Sequence, residues 1–305
     1  MSGRHVIFIT LGLLLGLGSL QIPALGQGMG GVYQIPIRGD IELGLAPFVE
    51  RSLHVAQEAG ASAVILDIET PGGRVDAAQR IANAIGDAAV PVYAFVNRHA
   101  YSAGALIALA ADEIYMRSGS VMGAATPVVG SGEKAPEKIV SAMRAQMRAL
   151  AENRGLDPDV AAAMVDEDIE IDGVVEAGKL LTLTTSEAMD LGYAKEVEDL
   201  PALLADLGLT GSSVRAMQVN WAERIVRFLS NPVVAPFLLS LGFLGLIAEI
   251  KSPGLGFAGF AGLLSLALFF GSHLILGLAG MEDLLLFGAG VVLIAVEIFV
   301  IPGFG

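Results

Sequence analysis

No cysteine occurs among the 305 residues, which excludes a thiolate nucleophile, a cysteine-ligated metal and any disulfide. Histidine is nearly as scarce. Of the four, His5 lies in an apolar leader, His273 in a long apolar run and His54 in a surface-patterned helix, which leaves His99. Charge is sparse as well, 16% of residues against 54% hydrophobic, and unbalanced, with 18 Lys and Arg facing 32 Asp and Glu. A net charge of −14 offers nucleic acid no basic footprint. The apolar excess points instead to membrane segments.

Those segments lie at both ends. Arg4-His5, the apolar run Val6 to Leu20 and the small-residue stretch Pro23-Ala-Leu-Gly26 have the n-region, h-region and cleavage site of a secretory leader. Cleavage is expected after Gly26, with an uncleaved signal anchor as the alternative. From Asn231 onward three apolar stretches follow, Val233 to Ile250, Phe257 to Leu278 and Leu284 to Ile301. Each matches a helix crossing about 30 Å of hydrocarbon at about 1.5 Å per residue. An exported N-terminal domain would send the first helix inward and put Lys251 on the cytoplasmic side.

Between these ends the pattern is α/β. Strands are expected near 32–37, 63–68, 91–96 and 113–116, alternating with helices near 43–59, 75–87 and 102–111. Further helices are expected at 137–153, 158–166 and 186–191. Three segments carry the chemistry. Asp67-Ile-Glu-Thr-Pro-Gly-Gly73 ends a buried strand in a turn whose glycines, Gly72 and Gly73, let the backbone approach a ligand. After a polar loop, Tyr101-Ser-Ala-Gly-Ala105 opens an alanine-rich helix, so Ser102 stands beside unpaired N–H groups and a positive dipole end. In that position Ser102 is either an N-cap or a nucleophile. A nucleophile needs a base: His99 is close in sequence, and Lys138 opens an amphipathic helix after Ala135-Pro136. A lysine at its ordinary value of about 10.4 is protonated at neutral pH, so a lysine base has to be buried.

Taken with Gly123-Ala-Ala-Thr-Pro127, Ala135-Pro-Glu-Lys138 and Ser186-Glu-Ala-Met-Asp-Leu-Gly192, these motifs resemble the NfeD-type membrane serine proteases, or stomatin operon partner proteins, of the ClpP/crotonase superfold. The resemblance runs from about residue 30 to the C-terminus. It implies an α/β crotonase (ClpP-like) domain followed by an α-helical transmembrane domain. It implies a Ser102–Lys138 dyad, an oxyanion hole of the Gly73 and Ala103 N–H groups, and substrate contacts at Gly72 and Gly104. Lys134 is the rival base. No cofactor is implied, and proteolysis should be independent of ATP. The implied partners are a hydrophobic peptide substrate, a stomatin/SPFH-family membrane protein, the bilayer and further copies of the chain in a homo-oligomer.

The expected layout is a signal peptide at 1–26, an extracytoplasmic protease domain at 27–206, a connector at 207–230 and membrane helices at 231–305. In the connector, Val214 to Leu229 carries the sole Trp and an apolar spacing, which suits either a membrane-surface helix or a domain-packing one. Glu249-Ile-Lys-Ser-Pro-Gly-Leu-Gly256 is echoed by Glu297 to Gly305, so these two carboxylates either pair across helices, meet a partner or sit solvated at helix ends. The glycine-rich loop Val128 to Lys134 is expected to be a mobile wall of the site. Gly173 to Lys179 has Walker A spacing, but Leu180 stands where Ser or Thr would hold magnesium. The dinucleotide-like spacing at Gly254 to Gly259 is better explained by helix packing. A membrane scaffold that binds a stomatin-type protein is the alternative function, and an acyl-CoA enzyme of the same superfold a weaker third.

Overall fold

The computed structural model describes residues 30–231, 233–251, 256–276 and 280–299. The leader, the Ser252-Pro-Gly-Leu255 break and the Pro302-Gly-Phe-Gly305 end fall outside the described residues. In chain order the elements are β1 (Val32–Arg38), α1 (Leu45–Glu58), β2 (Ala63–Thr70), α2 (Val75–Gly86), β3 (Val92–Tyr101), α3 (Ala103–Ala110), β4 (Glu113–Arg117) and β5 (Val121–Gly123). There follow α4 (Glu137–Asn153), α5 (Pro158–Ala163), β6 (Thr182–Thr184), α6 (Thr185–Asp190), β7 (Lys195–Val197), α7 (Leu200–Asp206), β8 (Val214–Ala216) and α8 (Trp221–Leu229). Three long helices come last, α9 (Val234–Lys251), α10 (Phe257–Ile275) and α11 (Met281–Phe299).

The strands form one sheet in the order β6-β5-β3-β2-β1-β8, with β4 on β3 and β7 on β4. β1 to β4 are parallel neighbours, as strand-helix alternation requires. Because helices cover it, β2 is buried through its first six residues, five of them apolar and the other, Asp67, held by Gln34 and Arg38. α2 buries Ala77, Ala78, Ile81, Ala82 and Ile85 along one stripe. α3 is buried from Ala103 through Leu109, so it has no polar face to show in sequence. On the opposite side of the sheet α7 packs Leu203 and Leu204 on Val32, Ile65, Phe95 and Tyr115. The Tyr115 hydroxyl lies 2.8 Å from the Asp206 carboxylate and 3.0 Å from Glu113. Burial and those two carboxylates push the phenol far above its ordinary range.

β3 differs from expectation. The supposed polar loop after Val96 is strand, because β3 changes partner midway: Tyr93–Val96 pair with β4, and His99–Tyr101 pair with β5. Asn97 and Arg98 fall at the fork, where no hydrophobic neighbour is demanded. A register shift between Ile68 and Thr70 on β2 accommodates the bend. The connector also differs. Val214–Ala216 add to β1 as a parallel strand, and the amphipathic helix begins only at Trp221.

α9 and α10 are long and apolar enough to cross a bilayer, while α11 carries Glu282 and Asp283 in its first turn. α9 and α10 touch backbone to backbone through glycine. A Cβ on Gly245 would come 2.7 Å from Ala258 O, and one on Gly262 would come 2.8 Å from Gly242 O. Glu249 accepts from the Gly259 N–H at 3.1 Å, so its carboxylate caps the first turn of α10.

Candidate active site

The site forms where β2 and β3 end. Ser102 is the single residue between β3 and α3, with φ 53° and ψ −118°. A serine rarely holds a positive φ, and the cost is about 1–3 kcal/mol. Its side chain makes no capping hydrogen bond, so the N-cap reading does not explain it. The backbone pins it instead: the Ser102 N–H donates to Gly123 O at 2.8 Å. Gly123 and Ala124 also have positive φ, 142° and 50°, and Ala124 and Ala125 donate to Leu181 O and Met164 O. This brace is not visible as chemistry in the sequence; its only trace is the glycine before Ala124.

The turn after β2 faces Ser102. Thr70 Oγ1 donates to Gly39 O (2.7 Å) and accepts from the Gly72 N–H (3.0 Å). A Cβ on Gly72 would lie 2.7 Å from Ser102 Cβ and 3.2 Å from its Oγ, so only glycine lets the turn close on the serine. Gly73, at φ 152°, forms a parallel bridge with Ile41. Ile41 N–H donates to Gly72 O and Ile41 O accepts from Arg74 N–H, both at 2.8 Å. The Gly73 N–H takes no part in this bridge, and Ala103, first in its helix, has an N–H with no intrahelical partner. Gly104 has a packing role, since a Cβ there would come 2.4 Å from Thr70 Cγ2.

The structure thus brings Gly72, Ser102 and Ala103 together at one strand-helix junction. Lys138 stands apart from the expectation of burial: it is exposed on the first turn of α4, after Pro136. Among the described residues it forms no ion pair, whereas Lys134 is held by Glu167 at 3.1 Å. Glu137 beside it is tied to Arg144, which also pairs with Asp166. The glycine-rich loop from Val128 to Lys134 is tied across its base. Val128 bridges Lys134, and Val129 N–H donates to Glu133 O at 2.8 Å. Val128, Val129 and Ile139, the last next to Lys138 in sequence, expose apolar surface. His99 stacks on Tyr101 at 5.1 Å on the strand, and His54 is exposed on α1, 3.4 Å from Glu58.

Comparison with known proteins bears on both halves of the chain. Residues 31–217 match the NfeD1b N-terminal domain and residues 233–305 the NfeD integral membrane domain. Membrane protein NfeD1b of Bacillus subtilis (strain 168) is 47% identical over 274 residues, covering 89% of this chain and 62% of that protein. Membrane-bound protease PH1510 of Pyrococcus horikoshii is 28% identical over 260 residues, 77% of this chain and 56% of that protein. The chain therefore spans less than two thirds of the length of these relatives. Two solved structures of 1510-N membrane-bound stomatin-specific protease superpose on the α/β domain with a TM-score of 0.56 each. One, a serine-to-alanine variant, is 27% identical and covers 63% of this chain and 100% of that one. The other, a lysine-to-alanine variant with a substrate peptide, is 25% identical and covers 67% and 99%. The architecture is an α/β domain like that of 1510-N followed by an NfeD membrane domain.

Proposed function

Because the chain belongs to the NfeD family, with an NfeD1b-type domain ahead of an NfeD membrane domain, we propose that it is a membrane-anchored serine endopeptidase. Relatedness to a membrane-bound protease supports proteolysis in general. The observation that carries the finer reading is Ser102 itself, held at φ 53° between strand and helix, uncapped, with Gly72 closed against it. Backbone strain of this kind at a strand-to-helix turn is how a nucleophilic serine is presented.

In this reading Ser102 Oγ attacks the scissile carbonyl carbon while Lys138 Nζ takes the hydroxyl proton. The carbonyl oxygen becomes an oxyanion that accepts from the Gly73 and Ala103 N–H groups. Collapse breaks the C–N bond, and the Lys138 ammonium returns its proton to the leaving amine. Water then attacks the acyl-serine while Lys138 takes its proton; collapse breaks the ester C–Oγ bond, the Lys138 ammonium returns the proton to Ser102 Oγ, and the carboxylic acid product leaves. Lys138 is preferred to Lys134 because the latter is committed to Glu167. As Lys138 is exposed, the bound peptide has to cover it. The apolar surface exposed at Val128, Val129 and Ile139 favours a hydrophobic peptide for that task. The stomatin specificity named for 1510-N suggests a stomatin-type membrane protein as its source. We place this domain outside the cytoplasm, with Lys251 inside, and expect the chain to form homo-oligomers.

The test is fluorophosphonate labelling of the detergent-purified full chain beside Ser102→Ala and Lys138→Ala. Labelling lost in both variants, with circular dichroism unchanged, supports the dyad. A folded wild type that takes no label shifts the function to a scaffold that binds stomatin-type proteins. That second reading is favoured by the exposure of Lys138.

A further inference from the structure

Helix α8 is polar toward the α/β domain and apolar away from it. Its Glu223 carboxylate accepts from Arg51 Nε (2.5 Å) and Nη2 (3.0 Å), and Arg51 Nη2 also donates to Gln218 O. Arg227 Nε pairs with Glu42 Oε1 at 2.6 Å, both side chains largely covered. A Cβ on Gly44 would come 2.4 Å from Arg227 Cγ, so α8 lies directly on the turn after Ile41. The other face carries Trp221, Ile225 and Phe228, which are 72%, 47% and 64% exposed. Their i, i+4, i+7 spacing makes them one stripe.

Position says what covers that stripe. α8 ends at Leu229 and α9 starts at Val234. The far end of α10 returns to the same level, where Arg80 Nη1 donates to Leu276 O at 3.5 Å. The start of α9 and the end of α10 mark the bilayer face nearest the enzyme, and α8 sits at that face. A Trp at the edge of an apolar stripe flanked by exposed Arg224 suits the boundary between headgroups and acyl chains.

The opposite end of the same contact reaches the site. Glu42 fixes the Gly44 N–H at 2.7 Å and is bonded covalently to Ile41. Ile41 makes both hydrogen bonds that hold Gly72 and Arg74, and so sets the direction of the Gly73 N–H. Gly72 in turn abuts Ser102.

We propose that α8 is a lipid-seated lever: contact of Trp221, Ile225 and Phe228 with the bilayer surface is passed through the Arg227–Glu42 pair to the Ile41–Gly73 bridge. Arg227 and Glu42 are positioning residues for the oxyanion turn. The catalytic part of this inference rests on the reading of Gly73 as an oxyanion donor; the lipid seat and the mechanical link do not.

The full chain in nanodiscs tests each part. Trp221 is the sole tryptophan, so its emission reports α8 alone. Lipids brominated at shallow acyl positions should quench it and soluble acrylamide should not; quenching by acrylamide alone overturns the lipid seat. Glu42→Gln and Arg227→Gln should raise hydrogen exchange in peptides spanning 39–44 and 70–76, and Arg227→Lys, which keeps the cation and the Glu42–Gly44 bond, should keep protection. Unchanged exchange in both glutamine variants overturns the link. In the same samples fluorophosphonate labelling should slow about tenfold in the two glutamine variants and stay near wild type in Arg227→Lys. Wild-type rates in both, with Ser102→Ala inert, overturn the catalytic coupling. A wild type that takes no label while Trp221 is lipid-quenched and exchange responds refutes the hydrolase reading and leaves the lever standing.

Discussion

Ser102 carries a conformational cost that only glycine would relieve, so its substitutions separate stability from chemistry. Ser102→Gly should stabilise the fold by about 1 kcal/mol while abolishing labelling. Ser102→Ala should abolish labelling with little change in stability, because alanine keeps the same strain. Thermal unfolding of both variants, beside probe labelling, checks this. Gly72 has the opposite character. Gly72→Ala drives a methyl into Ser102 and asks for φ 105° from an L-residue, so labelling should fall at least about a hundredfold. Lys134→Ala should keep activity, since its partner is Glu167, whereas Lys138→Ala should lose it. Equal losses in the two lysine variants would end the preference between them. Sequence alone names Ser102, Gly72 and Gly73, because a turn with two glycines and a serine ahead of an alanine-rich helix are local signals. It does not reveal the brace at Gly123–Ala124, whose partners Leu181 and Met164 lie far along the chain. The exposure of Lys138 is equally hidden, since burial depends on what packs on α4, not on its own spacing.

At the scale of elements, β1 to β4 and α1 to α4 are legible because each is a buried run or an amphipathic stripe long enough to show a period. The three-residue strands β5, β6, β7 and β8 are too short for any period, and they exist because a neighbour offers an edge. α8 is legible in composition but not in its start, since β8 claims the residues before it. Its attachment should depend on pH. Burial pushes the Glu223 carboxyl up, but Arg51 and the Asn220 N–H outweigh it and hold it below the ordinary value. A carboxyl depressed in the folded state contributes stability above its unfolded pKa of about 4.3 and loses it as pH falls through the folded value. α8 should therefore stay seated at neutral pH and release in acid, with Trp221 emission shifting as it does. Glu223→Gln should remove that acid transition. In the membrane region, Gly262→Leu should part α9 from α10, because no side chain fits where Gly242 O lies 2.8 Å from its Cβ position. Cross-linking between the two helices would fall accordingly.

Across the whole molecule, the division of labour follows the division of charge. The acidic α/β domain holds the site and the apolar helices hold the bilayer. Lys251, at the far end of α9 from the domain, is the one basic residue after Ser230 in the sequence. A chain without cysteine is convenient for locating it. A single cysteine placed at Lys251 should be shielded from an impermeant thiol reagent in intact cells, while one placed at exposed Val128 should react. The reverse pattern would turn the protein over.

The α/β domain meets the membrane hairpin at two places, through α8 where α9 begins and through Arg80 where α10 ends. A body tethered at one point swings, while a body tethered at two rocks about a single axis. On the proposed function, Ser102 is therefore held at a set height above the lipid, and height becomes a criterion of selection. A substrate anchored in the same bilayer would be cut at a fixed distance from its own last buried residue, whatever the side chains there. Lengthening its juxtamembrane segment should move the cut along the sequence by the same number of residues.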